Sequence, residues 1–172
     1  GQNLISRPGG APLLEKMILE AAAVALDGVL VPPILDIGSG AGLPGIPIAC
    51  LLPTTQVDLL ERRGARCDFL RRECRSLPLP RTRVLEADAE TLGQDEALRG
   101  RYGTVLLKAV AEPVVALGLA RPFLRPDGRA LLFRGLDWRP EPLDEWSYGG
   151  AHRAGPRLEP SSDAVVHIFS GS

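Results

Sequence analysis

Short apolar runs alternate with amphipathic ones along most of the chain, and this alternation sets the fold class. After Pro12 a helical pattern passes through Leu13, Leu14, Met17, Ile18 and Leu19 into Ala21-Ala22-Ala23, which predicts an N-terminal helix over about residues 12–30. Strand-like runs follow at 34–37, 57–61, 83–87, 104–110 and 129–133. Between them lie helical stretches at 43–52, 65–77 and 113–124, and a short polar one at 92–98. Strands alternating with helices imply a parallel sheet with helices on both faces. Uninterrupted runs such as Val105-Leu106-Leu107 and Ala130-Leu131-Leu132-Phe133 suit strands covered on both sides. Beyond Pro140 and Pro142 the rhythm breaks. Gly149-Gly150 reads as a turn, and extended segments at 153–158 and 164–169 predict a closing antiparallel hairpin. The pattern thus describes one α/β domain over residues 1–172.

Composition narrows this reading. At 172 residues, 45% of them hydrophobic, the chain is long enough to hold a core without metal or disulfide staples, which excludes disordered and fibrous classes. Twenty basic residues against 21 acidic ones leave a net charge of -1, which argues against coating nucleic acid through bulk charge. That balance hides an asymmetry. From Glu61 to Arg83 there are eight arginines (Arg62, Arg63, Arg66, Arg71, Arg72, Arg75, Arg81 and Arg83) and three acids, a local +5 against about -6 elsewhere. Arginine forks onto phosphate, so this stretch is a candidate RNA-backbone face; the competing reading is a solvated helix laced by pairs of Arg62 or Arg66 with nearby acids. From Glu86 to Glu96 there are five acids and no base, as suits a cofactor rim. Cys50, Cys67 and Cys74 lack metal-ligand spacing, and His152 and His167 fall in the tail, so no metal site is expected and a reduced compartment fits. With no apolar run of about 18 residues and no leader-like start, the expectation is a cytoplasmic monomer with no membrane partner.

The most informative stretch is Ile34-Leu35-Asp36-Ile37-Gly38-Ser39-Gly40-Ala41-Gly42-Leu43-Pro44-Gly45-Ile46-Pro47, where the first strand meets the first following helix. Glycines at 38, 40 and 42 permit a tight turn and close backbone approach to a ligand. Packing glycines in a β-α turn are the plainer alternative. Three additions favour a ligand: Asp36 on the strand ahead of the loop, a Gly-x-Gly-x-Gly spacing that differs from the dinucleotide Gly-x-Gly-x-x-Gly, and Glu61 at the end of the second strand. An acid there can take both ribose hydroxyls of an adenosine, and Asp88 after the third strand can accept from an adenine amine. In register, these features point to S-adenosylmethionine, with Asp36 near its methionine part.

The same loop resembles that of the small-subunit ribosomal RNA guanine-N7 methyltransferases, also called glucose-inhibited division protein B. Leu43-Pro44-Gly45-Ile46-Pro47 is the distinctive piece. Leu59-Leu60-Glu61 with Arg66 and Phe69-Leu70, Ala89-Glu90, Lys108-Ala109-Val110, and Gly128-Arg129 to Arg134-Gly135 follow in the family's order, while Asn3-Leu4 and Ile18-Leu19-Glu20 match upstream. The resemblance covers about residues 3 to 135. It implies a Rossmann-like class I methyltransferase sheet, mostly parallel, with S-adenosylmethionine as cofactor and ribosomal RNA or the assembling small subunit as partner. It also adds Ser39, Leu43, Ala89, Glu90 and Lys108 to Asp36, Gly38, Gly40, Gly42, Glu61 and Asp88 as cofactor-binding candidates. Leu107-Lys108-Ala109 stands where the family usually has Ser-Arg-Ala, Arg134 where it has a Lys before Gly, and Met17 where it has a His.

Methylation at guanine N7 requires no general base, because the lone pair is free; placement and electrostatics carry such a reaction. Lys108 and Arg134, just after strand C-termini, are therefore assigned to positioning through guanine O6, phosphate or the methionine carboxylate, with an exposed ion pair as the alternative. Trp138 and Trp146 stack a base or form a packed lid. Cys67 and Cys74 share a helix face as small buried residues. Two other functions compete with the leading one: a methyltransferase for a small molecule or protein, and a cofactor-binding module with little turnover.

Overall fold

The computed structural model describes residues 10–135, 138–143, 145–153 and 165–171. Helix α1 spans Gly10–Leu26 and ends where Gly28 takes a left-handed φ of 71°, a conformation favouring glycine. Then come β1 (Ile34–Ile37), α2 (Gly45–Leu51), β2 (Val57–Glu61), α3 (Gly64–Ser76), β3 (Thr82–Glu86), α4 (Ala89–Leu92), β4 (Tyr102–Lys108), α5 (Pro113–Ala120), β5 (Leu124–Arg134), β6 (Trp146–Arg153) and β7 (Val165–Gly171). The seven strands form one sheet in the order β3-β2-β1-β4-β5-β7-β6. The first five are parallel, while β7 runs antiparallel to both β5 and β6. Strand order reverses at β1, so the crevice beyond the C-terminal ends of β1 and β4 is where an open α/β sheet takes ligands.

Both faces are covered, as the continuous apolar strands require. On one, Val24, Ile46, Ile48 and Leu70 from α1, α2 and α3 pack on Ile34, Leu59, Leu106 and Leu131. On the other, Leu117 and Phe123 pack on Leu35, Ile37, Val105, Leu107 and Leu132. No described helix is long and apolar enough to cross a membrane.

Several boundaries depart from the pattern-based expectation. The short helix after β3 lies at Ala89–Leu92 instead of 92–98, because the Asp88 side chain accepts the Glu90 N–H at 3.0 Å as an N-cap and the helix ends at Gly93. Strand β4 stops at Lys108 instead of 110, because Ala109 turns to a φ of 53°. Helix α5 stops at Ala120, since Pro122 has no N–H to continue it. The hairpin partner of β7 is 146–153 and not 153–158. Gly149-Gly150, expected as a turn, lies inside β6 at a register shift between Tyr148 and Gly150, where a glycine φ of 110° accommodates a bulge. Cross-strand packing of Trp146 and Tyr148 against Phe169 places this strand earlier than its glycines suggest. Residues 154–164, which include most of the expected first strand, lie outside the described residues.

Candidate functional site

At the C-terminal edge of the sheet, the backbone amides of Gly38 and Ser39 both donate to the Leu60 carbonyl, at 2.8 and 3.1 Å, which hangs the loop after β1 on the end of β2. Gly38, Gly40 and Gly42 all have left-handed φ, of 70°, 56° and 85°. Their tasks differ. A side chain on Gly42 would collide with Ile46, and one on Gly45 with Leu59 and the Asp36 carboxylate, so these two glycines serve internal packing. Gly38 is the one of these four that lines the neighbouring space, which an added Cβ would enter 3.2 Å from Val110, while at Gly40 nothing lies nearer than 3.6 Å.

That space is a cavity of about 320 Å³, in the range of small-molecule sites. Ile37, Leu60, Ala87, Val110 and Leu119 give it apolar walls, and Glu61, Asp88 and Glu90 an acidic rim. Glu61 is 4% exposed. Its Oε1 accepts the Arg63 N–H at 2.9 Å and its Oε2 the Gly40 N–H at 3.1 Å, with the Arg66 guanidinium 3.6 Å away. Each carboxylate oxygen thus retains capacity for a further donor.

Of the sequence-derived candidates, the structure brings Gly38, Glu61, Asp88, Ala89 and Glu90 to the cavity wall. Asp36, Ser39, Gly40, Gly42, Leu43 and Lys108 do not line it. Asp36 is buried and accepts the Gly45 N–H at 3.1 Å, so the first amide of α2 is used by the protein itself. Burial drives its carboxyl up to about 7, opposed by that N–H and by the charge of Lys108. The Ser39 hydroxyl donates to the Asp36 carbonyl at 2.9 Å. Lys108 pairs with Glu20 of α1 at 2.7 Å. Arg134 donates to the Ala111 carbonyl at 3.0 Å and so braces the turn in which Ala109 is held left-handed beside the cavity.

Sequence reasoning missed Arg62, Arg63 and Arg66 as cavity-lining groups, together with Ala109 and Leu119. Arg66 carried a signal, since it falls within a matched segment; the positive φ of Ala109 had none. Glu20 likewise lay in a matched segment without a role.

The arginine-rich stretch divides. Arg83 is pinned to the buried Asp58, donating through Nε at 2.9 Å, and leaves the candidate RNA face. Arg62, Arg66, Arg71 and Arg72 reach Asp88, Glu61, Asp68 with Glu86, and Glu73 respectively. Arg63, Arg75 and Arg81 are exposed and make no ion pair among the described residues. Trp138 meets the His167 ring edge-on at 4.5 Å, and Trp146 meets Phe169 at 6.4 Å, so both indoles, each half-buried, pack on the hairpin. Cys67 is buried and Cys74 half-buried on α3, as their spacing implied.

Residues 2–146 match GidB, described as rRNA small subunit methyltransferase G. The chain is 37% identical over 169 residues to the Ribosomal RNA small subunit methyltransferase G of Chloroflexus aggregans, covering 96% of this chain and 68% of that protein. It is 36% identical to the protein of the same name from Carboxydothermus hydrogenoformans, over 77% of this chain and 57% of that one. For the Rubrobacter xylanophilus protein the values are 41% identity, 59% and 39%, so the chain spans well under two thirds of these last two relatives. Among solved structures, a putative methyltransferase yhhF from Escherichia coli superposes with a TM-score of 0.61 at 16% identity, covering 96% of this chain and 88% of that one. A mutant of MtNAS in complex with S-adenosylmethionine superposes with a TM-score of 0.64 at 14% identity, covering 99% and 69%. At such identities these two establish the class I methyltransferase fold.

Proposed function

The chain belongs to the GidB family, rRNA small subunit methyltransferase G, and from that premise we propose that it transfers a methyl group from S-adenosylmethionine to N7 of a guanine in small-subunit ribosomal RNA. The observation that carries the reading is Glu61, a buried carboxylate with spare acceptor capacity on the wall of a cavity at the strand-order reversal. The cavity suits an adenosine: Ile37, Leu60, Ala87, Val110 and Leu119 offer apolar contact to a base, the lining glycine leaves backbone free to approach, and Glu61, Asp88 and Glu90 offer acceptors to hydroxyl and amine donors. Glu61 would hold the ribose hydroxyls, with Asp88, Ala89 and Glu90 along the adenine edge and Gly38 under the ribose. Ser39, Gly40, Gly42 and Leu43 set the path of that loop, and Asp36 anchors its exit below the methionine end. When bound, S-adenosylmethionine supplies an electrophilic sulfonium methyl, so that the N7–carbon bond forms as the carbon–sulfur bond breaks, sulfur keeps the electron pair, and no proton moves.

The chain's own work is then placement. Arg134 braces the turn after β4, while Lys108 lies on the acceptor side. RNA is held by Arg63, Arg75 and Arg81, joined by the arginines whose partners are solvent-exposed acids. Exposed pairs of that kind are worth about 0–1 kcal/mol and give way readily to phosphate. We assign the reaction to the cytoplasm, by one monomeric domain. The test is transfer from methyl-labelled cofactor to isolated small ribosomal subunits followed by nuclease digestion. The expected label is 7-methylguanosine; label in a small metabolite or in ribosomal protein contradicts the assignment, and binding without transfer to any of these reduces the chain to a cofactor-binding module.

A further inference from the structure

Lys108 ends β4 at the ligand edge, one residue before the cavity-lining Ala109 and Val110. Its Nζ donates to Glu20 Oε2 of α1, 88 positions away, at 2.7 Å, and the two side chains are 15% and 14% exposed. The ammonium also lies 5.3 Å from the centre of the Phe133 ring on β5. In the order β3-β2-β1-β4, Lys108 is two strands from Glu61, about 10 Å at the usual interstrand spacing. The pair itself does not line the cavity; it lies at the next strand end, beside the cavity-lining Ala109 and Val110 and under α1.

Stability alone does not explain this pair. An ion pair so withdrawn from water roughly breaks even against apolar side chains, and Leu106, two residues earlier on the same face, packs into the apolar cluster beneath α1. Chemistry supplies a reason. As N7 of a guanine is methylated, positive charge moves onto the base, and a lone ammonium beside it would oppose the reaction. An ammonium offset by a carboxylate would not, and with one N–H given to Glu20 it keeps two for other acceptors.

We propose that Glu20 is a positioning residue that holds Lys108 at the acceptor end of the cleft and offsets its charge, so that the pair donates to guanine O6 as a neutral unit and α1 completes the active site. The inference rests on the guanine-N7 reading above.

The chain has only two lysines, Lys16 and Lys108, which makes the ammonium directly observable. In the full chain labelled with ¹⁵N-lysine, and with Lys16→Arg for assignment, the Lys108 ammonium signal is expected to be protected from exchange. It should shift on addition of S-adenosylhomocysteine and disappear in Glu20→Gln. With small subunits as acceptor, Glu20→Gln should lower kcat about tenfold through the uncompensated charge while the cofactor KM changes less than about twofold. Glu20→Asp should restore most of the rate. The double variant Glu20→Gln, Lys108→Met should turn over faster than Glu20→Gln alone even where urea midpoints show both fully folded; a merely structural pair would restore stability in the double variant but leave the kcat of folded protein unchanged. Unchanged kcat in Glu20→Gln, strictly additive losses in the double variant, or a Lys108 signal indifferent to bound S-adenosylhomocysteine would overturn the inference. If the wild type binds S-adenosylhomocysteine yet methylates no guanine, the underlying reading fails and takes the inference with it; if the wild type methylates and Glu20→Gln matches it, only the inference falls.

Discussion

The two edges of this sheet treat a buried aspartate in opposite ways. Toward the N-terminal edge, Asp58 is fully buried but surrounded by donors: Arg83, the Tyr102 hydroxyl at 2.7 Å and Gln56 at 2.9 Å. Burial pushes its carboxyl upward, and those hydrogen bonds outweigh it, holding the group below the ordinary range. Toward the C-terminal edge, Asp36 is just as buried, yet burial wins and lifts it to about 7. One edge spends its polar groups on itself. The other carries left-handed glycines, a left-handed alanine, a carboxylate with spare capacity and an under-compensated acid around a cavity. Parallel strands and α/β connections are common to both edges, so the difference lies in side-chain partners, and it is where a ligand site is to be sought.

The contrast can be broken from either side. The largest expected effect concerns pH. The Asp36 carboxyl has a folded value of about 7 against an ordinary value of 3.8, so the native state holds its proton through that window and stability falls as pH rises from about 4 to about 7. The loss is on the order of 4 kcal/mol at most. Asp36→Asn should abolish this contribution, gaining over the wild type at pH 8 relative to pH 5 in urea midpoints; an equal difference at both pH values would contradict it. Next, Arg83→Met strands the Asp58 charge and should cost about 3 kcal/mol, the low end for a broken buried pair because the arginine is half exposed. Its affinity for S-adenosylhomocysteine should stay at the wild-type level. Glu61→Ala should do the reverse, losing about 30-fold in that affinity by calorimetry, roughly 2 kcal/mol for hydrogen bonds to a charged acceptor, with the fold retained. The smallest effect is a slope. Reversing Arg63, Arg75 and Arg81 to Glu should flatten the salt dependence of RNA association by about one unit per lost phosphate contact, and an unchanged slope would remove that face from the account.

Much of this was legible in the sequence, unevenly so. Continuous apolar runs located the inner parts of β4 and β5 because strands covered on both faces tolerate little else, and the glycine spacing with Glu61 located the cleft. What escaped depended on contacts between distant residues. The capping by Asp88 moved α4, the aromatic packing of Trp146 and Tyr148 onto Phe169 moved β6, and the pairing of Arg83 with Asp58 took one arginine out of the candidate RNA face. The glycines teach the same lesson at closer range. Gly42 and Gly38 look alike in the motif, yet one makes room for Ile46 and the other borders the cavity.

The most direct measurement is a backbone amide NMR titration of the ¹⁵N-labelled chain with S-adenosylhomocysteine. The account predicts large shifts at Gly38, Gly40, Glu61, Ala89 and Val110, with Asp58, Arg83 and Tyr102 unmoved. Shifts spread equally over both edges, or no saturable shift at the C-terminal one, would contradict it.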